Sequence, residues 1–436
     1  MNNENILQYS GFGKKIFILL FVVIVLEGAI RKWFFINSEF LLIGFRDFLV
    51  LTAILYGFKN KIFNFSLTFE KIASLWTFLV LIWIFVQLIF KDLEFIVALI
   101  GLRNWVLYLW LSLFFYKVLN LDDLKLIFKF ILLTIVPISI LSVTQHFLPL
   151  EHFLNKQAGN TYIFRLQGGD LYDDVVRTTG TFSFNSSYSY YLMFLCPLVY
   201  FLAIGEKVKN SNIIFNLCIF VSFFLAVLTS GSRLTISYSI VMMFPFIVSL
   251  ILKKNKKQIL SIIFFSLIAI FIANNFFYKA IDITKNRYQT GSYKTNDTDL
   301  TLSGRLLEIN FGTKETWSNL NFFGNGIGKG SNSARIFLND YSDFIFGETE
   351  MQKILKEGGV LGITFIIVKI LFIIFLIKDN KIRNKINSLL PFIYWFYIIL
   401  NFSLTSYSSQ ITAHAFSYLA LSIGLILLKD NFLSRT

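Results

Sequence analysis

Charge is scarce in this chain: of 436 residues only 15% are Asp, Glu, Lys or Arg, against roughly 25% in soluble domains. Cysteine is nearly missing. Cys196 and Cys218 both fall inside apolar runs, which excludes a disulfide framework and a Cys-based metal site. Three histidines with no nearby Asp cluster offer no metal-ligand spacing, so neither a metal nor another cofactor is expected. Five prolines give no low-complexity tract. What replaces these residues is apolar surface: 56% hydrophobic residues and 52 Phe, with a mean hydropathy of +0.65. A soluble fold could not cover that much apolar surface, but a bilayer can. The formal charge of +14 is therefore read against topology before nucleic acid, and no nucleic-acid partner is expected.

A membrane-spanning helix needs about 20 mostly apolar residues. On that ruler the sequence predicts about twelve spans, near 16–36, 39–58, 70–90, 93–117, 124–147, 186–205, 211–229, 233–252, 258–279, 359–378, 388–407 and 411–428. The fold class expected is an all-α integral membrane protein, in a single polytopic domain over 1–436. The first apolar run reaches Glu27, Arg31 and Lys32 without a small-residue cleavage site, so no cleavable signal peptide is expected.

Lysine sets the orientation. With a cytoplasmic N-terminus, the inner segments hold Lys14, Lys15, Lys59, Lys61, Lys117, Lys125, the cluster Lys253–Lys257, Lys378, Lys381 and Lys385, while the short outer connections are nearly bare. Both termini are expected in the cytoplasm by the inside-positive rule. Two outer segments are too long for turns, 149–185 and 280–358, and long connections are usually functional. The larger one, between spans nine and ten, is expected to cap a cavity and to be partly helical. Leu306, Ile309, Thr313, Trp317 and Leu320 share one face at helical spacing, and 349–357 reads as a helix leading into span ten.

Arginine is distributed differently from lysine. Of eleven Arg, only Arg383 and Arg435 fall on the cytoplasmic side. A guanidinium binds phosphate bidentately and tolerates partial burial, so an outward Arg set points to a phosphorylated ligand at the outer leaflet. Arg31, Arg46 and Arg103 lie inside spans, where charge faces a cavity or a partner. Either they bind that ligand, or they form a static ion-pair network with Glu27 and Asp47. Lys369, in mid-span ten, carries no assigned role.

Four outer stretches carry a resemblance. They are Arg177-Thr-Thr-Gly180-Thr-Phe182 with Asn185; Ser230-Gly231-Ser232-Arg233; Ser303-Gly304-Arg305 with Trp317 and Gly324-Asn-Gly326-Ile-Gly328; and Glu357-Gly358-Gly359 with Gly362. In this order, with twelve spans and a large loop before the tenth, the chain resembles the O-antigen polymerase and ligase superfamily. The motifs cover roughly 165–375. The resemblance implies glycosyl transfer from a polyprenyl-diphosphate-linked oligosaccharide on the outer face of a bacterial inner membrane. Membrane lipid, a chain-length regulator and a flippase are the companions it implies. The ligase branch has a His about nine residues ahead of Glu-x-Gly, where this chain has Glu348. That departure favours a polymerase over a ligase, and a transporter of lipid-linked glycans is the alternative from another class.

On this reading Arg233 and Arg305 stabilise the diphosphate leaving group, with Arg233 opening a helix after the tight turn at Gly231. Arg177, Arg31, Arg46 and Arg103 bind the donor. Glu348 is the candidate general base, worth about 10²–10⁴-fold, with Glu350 its alternate. The glycine run 324–328 lacks the strand and the Lys-Ser/Thr ending of a P-loop and reads as a compact turn.

Overall fold

A computed structural model of the protein describes residues 3–35, 39–65, 68–157, 176–204, 213–253, 302–338, 340–347, 349–378, 389–405 and 410–433, with scattered positions between 264 and 282. The expected ninth span, the middle of the 149–185 loop including Arg165, and Glu348 lie wholly or mostly outside the described residues. So does much of the basic set on which the expected orientation rests, including Lys381, Arg383, Lys385 and Arg435.

Every regular element among the described residues is a helix; no strand is present. In chain order these are α1 (Asn3–Ala29) running into a π-helical turn, π1 (Ile30–Phe34), then α2 (Glu39–Lys59) and α3 (Thr68–Phe90). The next helix is continuous through α4 (Phe95–Leu102), a second π-helical turn, π2 (Arg103–Leu107), and α5 (Tyr108–Val118). Then come α6 (Leu121–Phe147), α7 (Asn185–Ile204), α8 (Ile213–Thr229) and α9 (Arg233–Lys253). The last group is α10 (Leu302–Phe311), α11 (Lys314–Ser318), α12 (Glu350–Gly358), α13 (Val360–Lys378), α14 (Leu389–Thr405) and α15 (Ile411–Leu433).

Five helices among the described residues are long and apolar enough to cross a membrane: Leu41–Lys59, Phe69–Phe90, Phe95–Val118, Leu121–Phe147 and Val360–Lys378. Shorter apolar helices run over Ile214–Thr229, Phe392–Ser403 and Ile411–Leu427. The composition of their surfaces is that of a multi-pass membrane protein. On α3, Ile72, Leu75, Phe78, Ile82, Phe85 and Ile89 are exposed along one stripe at helical spacing, while Gln87 is buried. That inside-out pattern suits hydrocarbon outside and a packed bundle within.

The helix through Phe95–Val118 is the hub: 72% of its span is buried, against 28–39% for the other four. It packs on α15, α2 and α1, and α15 packs in turn on α14 and α7. Ion pairs tie the ends of neighbouring helices: Asp123 at the start of α6 accepts from Ser10 Oγ and pairs with Lys14 at 3.2 Å, and Lys117 pairs with buried Glu70 at 3.0 Å.

The segment before α13 differs in one respect from its sequence pattern. The face from Leu306 to Leu320 is carried by two short helices, α10 and α11, and not by one. Gly312 adopts φ +81 between them, and the Thr313 side chain accepts from Thr316 N to cap α11, so a left-handed residue and an N-cap override the periodicity. The helix read at 349–357 is α12, opened by a reciprocal Thr349–Gln352 capping box.

Candidate functional site

Two π-helical turns organise the buried charge. Such turns are rare and concentrate at functional sites; here one holds Arg31 and Lys32 and the other Arg103, Asn104 and Trp105. Around them Arg31, Arg46 and Arg103 meet two carboxylates. Arg46 Nη1 donates to Glu27 Oε2 at 2.8 Å, and Arg31 Nη1 approaches Glu27 Oε1 at 3.4 Å. Arg103 Nη1 donates to Asp47 Oδ2 at 3.1 Å, and Tyr108 Oη to Asp47 Oδ1 at 3.5 Å. Arg46 is fully buried. The ion-pair network is therefore present, and it joins the first, second and fourth long helices. Arg46 Nε and Nη2 are buried without a partner at hydrogen-bond geometry, with the Tyr108 hydroxyl beside the guanidinium.

Lys32, with no role assigned from sequence, links this cluster to the first motif. Its Nζ donates to Thr179 Oγ1 at 3.0 Å and to Gly180 O at 2.7 Å, and lies 4.7 Å from the Trp33 ring centre. The same loop is held by Gln145, whose Oε1 accepts from Gly180 N at 2.9 Å. Packing is close at Gly28 of α1, where a Cβ would stand 2.6 Å from the Phe182 carbonyl carbon.

Asn185 then joins the first and second motifs. Its Nδ2 donates to Thr178 O at 2.8 Å and to Ser230 O at 2.7 Å, while its Oδ1 accepts from Arg177 Nη2 at 2.8 Å. Ser142 Oγ bridges Thr178 and Thr229 hydroxyls at 2.6 and 2.7 Å. Arg233 opens α9 directly after Gly231, whose φ is +57. The helix start is not bare, however: Ser232 Oγ accepts from Thr235 N at 3.4 Å. Any anion there would compete with a serine cap, which leaves the half-buried Arg233 side chain itself as the contact.

The third and fourth motifs close on the second π-turn. Glu357 is fully buried; its Oε2 accepts from Trp105 Nε1 at 3.0 Å and its Oε1 from Gly330 N at 2.8 Å. Gln87 adds donations from Nε2 to Phe323 O at 2.6 Å and Glu357 O at 2.9 Å, and accepts from Ile327 N at 2.8 Å. The glycine run is a compact turn seated on α4: Gly328 has φ +95, and a Cβ on it would stand 2.8 Å from Gly101 N. Arg103 Nη2 reaches the same loop at Ser333 Oγ, 3.3 Å away.

Of the residues singled out from sequence, Arg31, Arg46 and Arg103 stand together, and Arg177 stands beside the Ser230–Arg233 turn. Arg305 is on α10, but its side chain lies outside the described residues, as does Glu348. Glu350 is the first residue of α12, half-buried, within electrostatic reach of Tyr190 on α7. Lys369 is held by Asn310, at 3.3 Å from its Oδ1, and by Met351. Among the described residues no three His, Cys, Asp or Glu side chains gather as a metal site. Lys32, Gln87, Gln145, Asn104 and Trp105 escaped the sequence reading. The signal available for the first three was a lone polar residue near or within an apolar run.

Comparison with known proteins adds no family. No protein-family model matches the chain. No curated protein matches it, and no solved structure does. The resemblance to O-antigen polymerases and ligases thus rests on the chain's own motifs.

Proposed function

We propose that this chain is an inner-membrane glycan polymerase with about twelve spans, both termini cytoplasmic and the 280–358 segment outside. The reaction transfers a growing glycan from its polyprenyl diphosphate to a hydroxyl of another lipid-linked repeat, in the synthesis of a surface polysaccharide. The bond from the anomeric carbon to the diphosphate oxygen breaks, a glycosidic C–O bond forms, the hydroxyl proton leaves to a base, and polyprenyl diphosphate departs.

The observation that carries this reading is the linkage of all four outer motifs, through Lys32, Asn185, Glu357 and the loop at Ser333, to two π-turns bearing buried cations. Lys32 is buried against neutral oxygens, an expensive arrangement that an anionic ligand nearby would offset. Arg31, Lys32, Arg46 and Arg103 would set the potential for the diphosphate. Arg177, Arg233 and Arg305 would take the charge that develops on the leaving oxygen, which preorganised donors stabilise without a metal. Glu348, or Glu350 in its place, would accept the hydroxyl proton.

The test is reconstitution of purified protein into liposomes with one polyprenyl-diphosphate repeat as the sole substrate. A ladder of multimers is the expected outcome. Turnover only after a different acceptor is added would make the chain a ligase, and translocation without bond formation would make it a transporter.

A further inference from the structure

The buried donors left over in the cluster point to a ligand contact that the motifs do not contain. Arg46 Nε, Arg46 Nη2 and Asn104 Nδ2 are among the buried side-chain atoms without a partner at hydrogen-bond geometry, although the Tyr108 hydroxyl lies beside the Arg46 guanidinium; all three are N–H groups. Burying a donor without an acceptor is costly, so such groups persist where something else answers them. Here the acceptors are used: Glu27 takes Arg31 and Arg46, Asp47 takes Arg103 and Tyr108, and Asn104 Oδ1 takes Arg103 Nε at 3.2 Å. That last bond also fixes the amide, turning its oxygen to the guanidinium and leaving Nδ2 to face elsewhere.

The three groups belong to one neighbourhood. Arg46 adjoins Asp47, which receives Arg103; Asn104 follows Arg103 in the wide turn π2. From α15, His414 adjoins them, its ring 5.4 Å from Tyr108 and within electrostatic reach of both Arg46 and Arg103. Donors from α2 and π2 thus share a surround of net positive charge, which selects an oxyanion over a neutral sugar hydroxyl.

We propose that Asn104 is a substrate-binding residue, its Nδ2 joining Arg46 Nε and Nη2 to receive a phosphate oxygen of the lipid diphosphate. This rests on the polymerase reading for the identity of the anion, and it deepens that reading by adding a neutral donor to the clamp. A neutral amide suits the position: it supplies a directional hydrogen bond without further charge repulsion among the guanidiniums.

Two variants separate ligand binding from architecture. Asn104→Asp puts a carboxylate among the guanidiniums, so an architectural residue would tolerate it, whereas an anion contact would be reversed in sign. Asn104→Leu keeps the approximate volume and removes the donor. Wild type and both variants, purified in nanodiscs, would be titrated with inorganic pyrophosphate and, separately, with a polyprenyl diphosphate. Unfolding without ligand would be followed in parallel.

The expected result is that wild type binds both probes and both variants bind each about 10- to 100-fold more weakly. Asn104→Asp should unfold no more easily than wild type. Variants that bind both probes as wild type does would overturn the role of Asn104 and leave the diphosphate reading standing. A wild type that binds pyrophosphate but not the lipid would overturn the lipid assignment, the source then being a soluble anion. A wild type that binds neither would overturn both.

Discussion

Replacing Glu357 by Gln should weaken the fold substantially. The carboxylate is fully buried and answers two donors with two oxygens, Trp105 Nε1 at 3.0 Å and Gly330 N at 2.8 Å. An amide has one oxygen, so one donor must face an NH₂. The lost charge-assisted hydrogen bond is worth about 1.5–3 kcal/mol, and the stranded donor costs about 1–3 kcal/mol more. Allowing for partial relaxation, the expected loss is about 3 kcal/mol. Glu357→Leu strands both donors and should cost more still. The assay is unfolding of the purified protein in mixed micelles across an SDS titration, followed by tryptophan fluorescence. The loosened loop should also release Ser333 from Arg103, so a Ser333→Cys probe should label faster in the Gln background. If Glu357→Gln unfolds within about 0.5 kcal/mol of wild type, the range of ordinary surface substitutions, the carboxylate is not the latch between the 321–338 loop and the second π-turn.

Further outcomes can be checked with the same preparation. Arg233→Lys keeps the charge but loses the planar fork, and polymer in the liposome assay should fall by about 100-fold, the scale seen when one oxyanion donor is removed; full activity would exclude Arg233 from the clamp. Lys32→Met keeps the stem and removes the ammonium that holds Thr179 and Gly180, so donor affinity should drop while the protein stays folded, as read by pyrophosphate titration. Gly101→Ala would place a Cβ about 2.8 Å from the Ile327 carbonyl, an overpacking that costs about 1–3 kcal/mol, and proteolysis of the 321–338 loop should accelerate. Glu348→Gln should abolish transfer and leave donor binding intact, whereas unchanged turnover would pass the role of base to Glu350.

Much of the helical layout was legible because apolar runs about 20 residues long have few alternatives, and helices α2 to α6 and α13 sit on such runs. Gly231, Gly324 and Gly328 could also be read in advance, since all three adopt positive φ in turns. The site was only half legible. Arg46 and Arg103 announced themselves by the cost of charge inside a span, but their partners lie 19 and 56 residues away in the chain, and no local pattern encodes that pairing. Lys32 was hidden by its type, because lysine near a span end reads as a topological charge until its Nζ is seen on Gly180. Glu357 stood in a recognised motif without a role, as its two donors come from α4–α5 and from the glycine loop. The π-turns have no sequence signature. They arise where tertiary contacts, such as Trp105 on Glu357 and Lys32 on Thr179, outweigh regular α-helical hydrogen bonding.

The most direct measurement is a stoichiometry. Purified protein in liposomes, given a lipid-linked repeat and no nucleotide, should release one polyprenyl diphosphate for each glycosidic bond formed, with the Arg233→Lys variant slowing both together. Glycosidic bonds without diphosphate release, or diphosphate release with free reducing glycan and no ladder, would contradict a polymerase built around this basic cluster.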